Sequence, residues 1–267
     1  MLRRARPLLG TLVEVACAGD TALALRGSSA AFAAVQRVHS LMSFQESGSD
    51  VGRLNHAPVG CWLDIAADTL AVLQTAQLLS GQTGGVFDVC ATGSAGCWRD
   101  LELDAAACRV RRHAAVLVDL SGIAKGYAVD CAVDALGAAG VLSGLVNAGG
   151  DLRVFGAQEH ALWVRAPWDV GQGIFCTTLH NRAAASSASY FVGTPVLRDG
   201  VTRRPVDSGA SWTVLASTCM VADMLTKVVA ATGDARHPVL ARWQAEAWLY
   251  DAAPRAHNRD AVVADSF

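Results

Sequence analysis

One segment of the chain combines a lysine with a turn of small residues at the start of a helix. Residues 118–130 read VDLSGIAKGYAVD, which predicts a strand, a turn and a helix in succession. Free backbone N–H groups at a helix start face an anion together with the positive end of the helix dipole, and Lys125 adds a full charge. The Gly-x4-Gly-Lys-Ser/Thr order of a Walker loop is missing. The pattern fits a phosphate site, and it fits equally a surface lysine after an ordinary turn.

A second segment, residues 147–151, reads NAGGD and lies between two apolar stretches. Two glycines between such stretches are typical of a β-hairpin. The same bare backbone at Gly149 and Gly150 could also lie against a flat ring or a phosphate, while Asn147 and Asp151 supply hydrogen bonds. Both interpretations stay open from the residues alone.

The third candidate is an acid and a base on one helix face. Asp223 and Lys227 are four residues apart, so they are neighbours on a helix. If exposed, such a pair contributes only tenths of a kcal/mol. The residues around the pair make the helix apolar on most sides, which predicts a partly buried site instead.

The elements that must position these residues form an α+β pattern of mainly antiparallel sheets packed with helices. Successive strands separated by turn residues favour antiparallel pairing over strict βαβ alternation. The predicted strands are 12–15, 116–120, 142–146, 152–155, 162–166, 176–179, 212–216 and 247–250. Four of the predicted helices are 29–42, 124–136, 220–231 and 239–244. A further helix, between the first two of these, is capped by Asp68 and ends at Gly81, and a glycine-rich loop follows it over 84–100.

Composition excludes two classes of partner. The net charge is −2 and the Lys and Arg residues are scattered, which gives no basic patch for nucleic acid or an anionic membrane. No stretch reaches the length of about 18 continuous apolar residues that a membrane span requires. The basic N-terminus lacks the apolar run of a secretory signal, so we expect a cytoplasmic protein, or a periplasmic one whose leader has been removed.

Several blocks, in this order along the chain, resemble the FAD:protein FMN transferase (ApbE) family. The most specific are DLSGIAKGYAVD at 119–130 and NAGGD at 147–151. The others are LGT at 9–11, FQESGSDVGRLN at 44–55, GVFD at 85–88, SSASY at 186–190 and AD at 222–223. The resemblance implies a single ApbE-like domain over residues 1–267.

The resemblance also implies a reaction and a set of ligands. In the family, FAD binds with its pyrophosphate near Mg²⁺, a threonine hydroxyl of an acceptor protein attacks the phosphorus on the FMN side, and AMP leaves. By the matching motifs, Asp223 and the main-chain carbonyl of Ala124 would bind the metal, with Thr226 close by. The matching positions for FAD binding are Asn55, Phe87, Asp88, Asp119, Lys125, Gly126, Asn147, Gly149, Gly150, Asp151 and Ser187.

This chain departs from the family pattern at the metal position. The family helix reads Ala-Asp-x-x-x-Thr, and the threonine is replaced by Lys227. An ammonium beside Asp223 competes with Mg²⁺ for the same carboxylate. Two outcomes are open: Lys227 replaces the metal as a catalytic positive charge, or it swings aside and Mg²⁺ binds with Thr226 or water.

A second departure is the absence of the family's His-x-x-Asp-Pro-x-Thr-Gly stretch, where this chain has RRPVDSG at 203–209. Together the departures leave two alternatives to the transferase. One is a non-catalytic FAD-binding protein, and the other is a pyrophosphatase that splits FAD into FMN and AMP with water as the nucleophile.

Overall fold

The computed structural model describes residues 1–93, 96–188, 197–206 and 209–250. Its strands are β1 (Leu2–Leu8), β2 (Thr11–Cys17), β3 (Leu63–Asp64), β4 (Leu101–Asp104), β5 (Arg109–Arg112), β6 (Gly144–Ala148), β7 (Asp151–Phe155), β8 (His160–Ala166), β9 (Asp169–Leu179), β10 (Ala183–Ala188), β11 (Ser211–Ala216) and β12 (Glu246–Tyr250). Its helices are α1 (Thr21–Met42), α2 (Asp50–His56), α3 (Ala67–Gln82), α4 (Ala124–Ala138), α5 (Cys219–Thr232) and α6 (Val239–Arg242).

A seven-stranded antiparallel sheet organises the chain. Its strand order is β1-β2-β6-β7-β10-β11-β12. Helices α4 and α5 pack on one face of this sheet, and α1 packs against α4. The other face carries a smaller apolar cluster, in which Leu162 and Leu179 of the β8–β9 hairpin meet Val154, Ala184 and Leu215 of the sheet. The predicted α+β class with antiparallel sheets is confirmed.

Helix α5 lies in the middle of the main core. Ten of its residues are buried, and they include the polar residues Asp223 and Thr226. The helix ends at Gly233, whose φ of +69° is the left-handed conformation that glycine adopts without strain. The sequence prediction that this helix is apolar on most sides is therefore confirmed, and it brings a carboxylate into the protein interior.

Two local predictions are wrong. Residues 116–120 are not a strand; they run as a segment without regular structure, and Asn55 replaces a neighbouring strand by bonding the Val118 N–H and carbonyl at 2.8 and 2.9 Å. Asp68 does not cap α3, because Ala66 holds the cap position and the Asp68 carboxylate accepts the Tyr127 hydroxyl at 2.7 Å instead.

The remaining differences are elements that sequence periodicity did not indicate. Strand β1, the short sheet of order β3-β5-β4, strand β10 and helix α2 were not predicted. Helix α1 begins at Thr21, eight residues before the predicted start, with Asp20 accepting the Leu23 N–H at 2.8 Å. In the part of the chain described above, no helix is both long and apolar enough to cross a membrane.

Candidate functional site

The site is built where α4 and α5 cross. The Asp130 carboxylate of α4 accepts the N–H groups of Cys219 and Met220 at 2.9 and 2.8 Å, which satisfies two of the free N-terminal donors of α5. Arg153 of β7 donates to the same carboxylate at 2.9 Å. Burial raises the pKa of Asp130, although these N–H donors and Arg153 lower it. One buried carboxylate thus fixes α5 against α4 and the sheet.

Gly126 allows the two helices to approach closely. A Cβ at this position would lie 2.3 Å from the Cys219 carbonyl oxygen and 2.8 Å from the Asp223 Cβ. The Gly126 N–H, which belongs to the first turn of α4, donates to Asp223 Oδ2 at 3.0 Å. The glycine therefore has a packing role, and its backbone holds one oxygen of the site carboxylate.

The second oxygen of Asp223 is paired with Lys227. The Lys227 Nζ lies 2.8 Å from Asp223 Oδ1 and 2.9 Å from Thr226 Oγ1. The Thr226 hydroxyl in turn donates to the Asp223 carbonyl at 2.7 Å. Burial would raise the pKa of Asp223, but Lys227 and Lys125 outweigh it and hold that pKa below its usual value. The acid is therefore ionised and fully enclosed.

A second ion pair joins α4 to the sheet. Lys125 Nζ lies 2.6 Å from Asp151 Oδ2. Burial would lower the pKa of Lys125, but the carboxylates of Asp151 and Asp223 raise it above its ordinary value. Burial and the charge of Asp223 raise the pKa of Asp151 to about 6, against the lowering effect of both lysines. Asp151 Oδ1 is buried and receives no hydrogen bond from any described residue.

The glycine pair at 149–150 makes the turn that positions Asp151. Strands β6 and β7 form the predicted hairpin, with Ala148 opposite Asp151. Both glycines have positive φ, and the Gly150 N–H donates to Asn147 Oδ1 at 3.0 Å. A Cβ on Gly149 would lie 2.4 Å from Thr11 Oγ1, whereas one on Gly150 would meet no atom within 4 Å. The Gly150 backbone is therefore open to a ligand.

A cleft of about 500 Å³ opens beside Lys125. Its polar wall is formed by Asp119, Ser121, the start of α4 and Lys125, and its other wall comes from the β1–β2 turn and the end of α1. The Asp119 carboxylate accepts the Ser121 N–H at 2.9 Å, which stabilises the turn before α4. A cleft of this size, with a few convergent polar groups, has the properties of a small-molecule site.

Three other predicted residues support this region from outside the ion pairs. Asn55 holds the segment that leads to Asp119, through its two bonds to Val118. The Phe87 ring is buried and lies next to Gly122, where an added Cβ would be 3.8 Å from the ring. Asp88 accepts the Cys90 N–H at 2.7 Å and lies 3.5 Å from Arg203, and burial raises its pKa.

Ser187 lies on β10 opposite Trp212 of β11. Since Ala183 and Ala185 of the same strand belong to the core under α5, Ser187 is on the helix-facing side of the sheet. Two further positions of that block, Ser189 and Tyr190, lie outside the described residues, as do Asp207 and Ser208 of the 203–209 departure.

Two of the residues predicted to bind Mg²⁺, Asp223 and Thr226, contact the Lys227 ammonium instead. Both carboxylate oxygens of Asp223 are paired, one with Lys227 and one with the Gly126 N–H. The Thr226 hydroxyl accepts a hydrogen bond from Lys227 and donates one to the Asp223 carbonyl. No group of three or more His, Cys, Asp or Glu side chains in the described ranges could hold a metal ion. Mg²⁺ requires near-octahedral oxygen coordination. This arrangement does not fit that ion.

Sequence reasoning missed two residues on which the site depends. Asp130 was recognised only as the last residue of a motif, yet it accepts the Cys219 N–H at the start of α5; Gly122 was recognised only as part of a turn, yet it lies beside the Lys227 stem. A charged residue inside an otherwise apolar helix was the available signal for Asp130.

The fold is that of solved flavin transferases. It is similar to the flavin transferase ApbE of Vibrio cholerae, with a TM-score of 0.78 and 22% identity over 93% of this chain and 92% of that chain. The apo flavinyl transferase ApbE of Pseudomonas stutzeri gives 0.78 and 21% over 93% and 90%. An ApbE protein of Thermotoga maritima gives 0.77 and 23% over 91% of each chain.

Sequence comparison gives the family itself. The chain is 27% identical over 246 residues to a FAD:protein FMN transferase of Vibrio cholerae serotype O1. The match covers 76% of this chain and 72% of that protein. The model of the ApbE family matches residues 9–249. This chain belongs to the ApbE family, as its motifs predict.

Proposed function

We propose that this protein transfers FMN from FAD to a threonine hydroxyl of an acceptor protein and releases AMP. The observation that carries the proposal is a set of two ion pairs with buried carboxylates, Lys125–Asp151 and Lys227–Asp223, of which Lys125 lines the cleft. Its family membership and its relative named FAD:protein FMN transferase support the same activity.

In this proposal FAD occupies the cleft and its pyrophosphate faces the two lysines. The threonine oxygen forms a bond to the phosphorus of the FMN half, the bridging P–O bond breaks, and AMP takes the bridging oxygen. The hydroxyl proton passes to solvent or to the leaving phosphate. Phosphoryl transfer depends mostly on positioning and on neutralising the phosphate charge. Lys125 and Lys227 supply two positive charges, and Asp151 and Asp223 orient them.

The other residues are proposed to bind FAD through shape and backbone contacts. Gly150 leaves its backbone open beside Asp151, while Asn147 stabilises the turn. The proposed binding set is Asn55, Phe87, Asp88, Asp119, Lys125, Gly126, Asn147, Gly149, Gly150, Asp151 and Ser187. Because Asp223 is already paired, no step of the proposed reaction passes through Mg²⁺.

The test is incubation with FAD and a threonine-containing acceptor peptide, with the same peptide carrying alanine as a control. Transfer adds the mass of FMN less one water to the threonine peptide only, with one AMP released per modified peptide. Lys125→Met should abolish the transfer, while Arg37→Met, which removes a cation from an exposed pair on α1, should retain it. AMP release without peptide modification would indicate a pyrophosphatase instead. Bound FAD without AMP would indicate a binding protein.

A further inference from the structure

We infer that the Lys227 ammonium is the resident cation of this site and replaces a divalent metal ion in binding the pyrophosphate of FAD. The inference rests on the proposed function and adds to it a metal-independent mode of substrate binding. It also distinguishes this chain from any relative that carries an uncharged residue at the same helix position.

The contacts of Lys227 are those of a cation in a prepared oxygen site. An ammonium has three N–H donors. Two of them point to Asp223 Oδ1 at 2.8 Å and to Thr226 Oγ1 at 2.9 Å. The Lys227 side chain is 15% exposed, so the remaining donor is left for an anion. The group therefore links the buried carboxylate to a ligand, as a bound metal would.

Displacing the ammonium would leave the Asp223 carboxylate without its cation. Asp223 is fully buried, and its other oxygen is held by a neutral N–H group of Gly126. An ionised carboxylate in such a place is stable only when paired. The stem of Lys227 runs beside Gly122, where a Cβ would come within 3.4 Å of its Cγ and 3.6 Å of its Cε. The bonds to Asp223 and Thr226 hold the ammonium in place.

The use of lysine in the whole sequence supports a specific role for this ammonium. Of the 22 Lys and Arg residues only two are lysines, Lys125 and Lys227. Both lie in this site, where they pair with Asp151 and Asp223. Lysine presents a compact point charge, whereas arginine presents a wide planar fork. The chain thus uses arginine at every other basic position and keeps lysine for the site where a small cation is needed.

The test is FAD binding measured by isothermal titration calorimetry, once in EDTA and once in excess Mg²⁺. We expect the wild-type Kd to agree within about twofold between the two conditions. Electron paramagnetic resonance with Mn²⁺ should detect no tightly bound ion in the wild-type protein, with or without FAD. Neither measurement depends on a variant that has to fold.

The variant Lys227→Thr tests the inference from the other direction. It removes the ammonium and adds a hydroxyl, which frees Asp223 Oδ1 for a metal ion. We expect its FAD affinity in EDTA to fall about tenfold or more, and Mg²⁺ to restore at least part of it. Mn²⁺ binding should appear in this variant. Arg37→Met serves as the control and should behave as wild type in every condition.

The outcomes separate the two proposals. Wild-type FAD binding that requires Mg²⁺, or a tightly bound Mn²⁺ in the wild-type protein, would overturn the metal replacement and leave the transferase standing. No FAD binding in either condition would contradict the proposed function itself. A Lys227→Thr variant that is folded, by its thermal transition, and that binds FAD in EDTA as tightly as wild type would also overturn the role of Lys227.

Discussion

Substituting alanine for glycine at two positions of α4 should change stability in opposite directions. At Gly126 a new Cβ would lie 2.3 Å from the Cys219 carbonyl oxygen, whereas ordinary contact begins near 3.4 Å. Helix α5 would have to move by about 1 Å, and overpacking of this kind costs about 1–3 kcal/mol. The movement also weakens the bond from the Gly126 N–H to Asp223, and a hydrogen bond to a charged group contributes about 1.5–3 kcal/mol.

We therefore expect Gly126→Ala to lower the free energy of unfolding by about 3 kcal/mol or more. For a chain of this size that corresponds to a fall in Tm of about 6–12 °C. Gly137 lies in the last turn of the same helix, and a Cβ there meets no atom within 4 Å. Gly137→Ala should stabilise by about 0.4–1 kcal/mol, because alanine loses less backbone entropy on folding.

The assay is urea unfolding followed by circular dichroism, with Tm measured in parallel by calorimetry. The m-value should stay unchanged, since neither substitution alters the surface exposed on unfolding. A Gly126→Ala protein within about 0.5 kcal/mol of wild type would refute the close crossing of α4 and α5. So would an equal loss of stability at Gly137, since the effect would then come from the chemistry of the substitution and not from the site.

Contacts of Asn55, Asp130 and Asp151 can be tested in the same way. Asn55→Ala should lose about 2 kcal/mol of unfolding free energy and weaken FAD binding, since Val118, just before the cleft, loses both of its bonds to Asn55. Urea unfolding and FAD titration check this. Asp130→Ala should lose about 3 kcal/mol, because the N-terminus of α5 and Arg153 lose a buried anion, and Asp130→Asn should retain part of it. FAD affinity should rise as pH falls through about 6, because Asp151 is ionised above that pH and neutral below it, and its protonation frees Lys125 for the pyrophosphate. Asp151→Asn should remove this pH dependence in FAD titrations between pH 5 and pH 8. A pH profile that Asp151→Asn leaves unchanged would contradict this role of Asp151.

The parts of the fold that periodicity could indicate were predicted correctly from the sequence. Helices α4 and α5 and the β6–β7 hairpin carry long apolar patterns bounded by glycine, and the structure has them within a few residues of the expected ends. Residues 116–120 read as a strand because their composition is apolar. Their partners are separate tertiary contacts that no local strand pattern contains: Asn55, 63 residues before Val118, binds its N–H and carbonyl, and the Val89 carbonyl accepts the Asp119 N–H.

The site was predictable as a set of motifs but not as a geometry. Lys125, Asp151, Asp223 and Lys227 were each singled out from local sequence. Which carboxylate each lysine pairs with depends on how α4 crosses α5 and on the position of the β6–β7 turn. The sequence left open whether Lys227 faces Asp223 or swings away; in the structure its Nζ lies 2.8 Å from Asp223 Oδ1.

The most direct test is a crystal structure of the complex with FAD, grown in the presence of Mg²⁺. We expect pyrophosphate oxygens within about 2.7–3.0 Å of the Nζ atoms of both Lys125 and Lys227. We also expect Lys227 to remain paired with Asp223. An octahedral ion bound to the Asp223 carboxylate, or a pyrophosphate that touches neither lysine, would contradict these expectations.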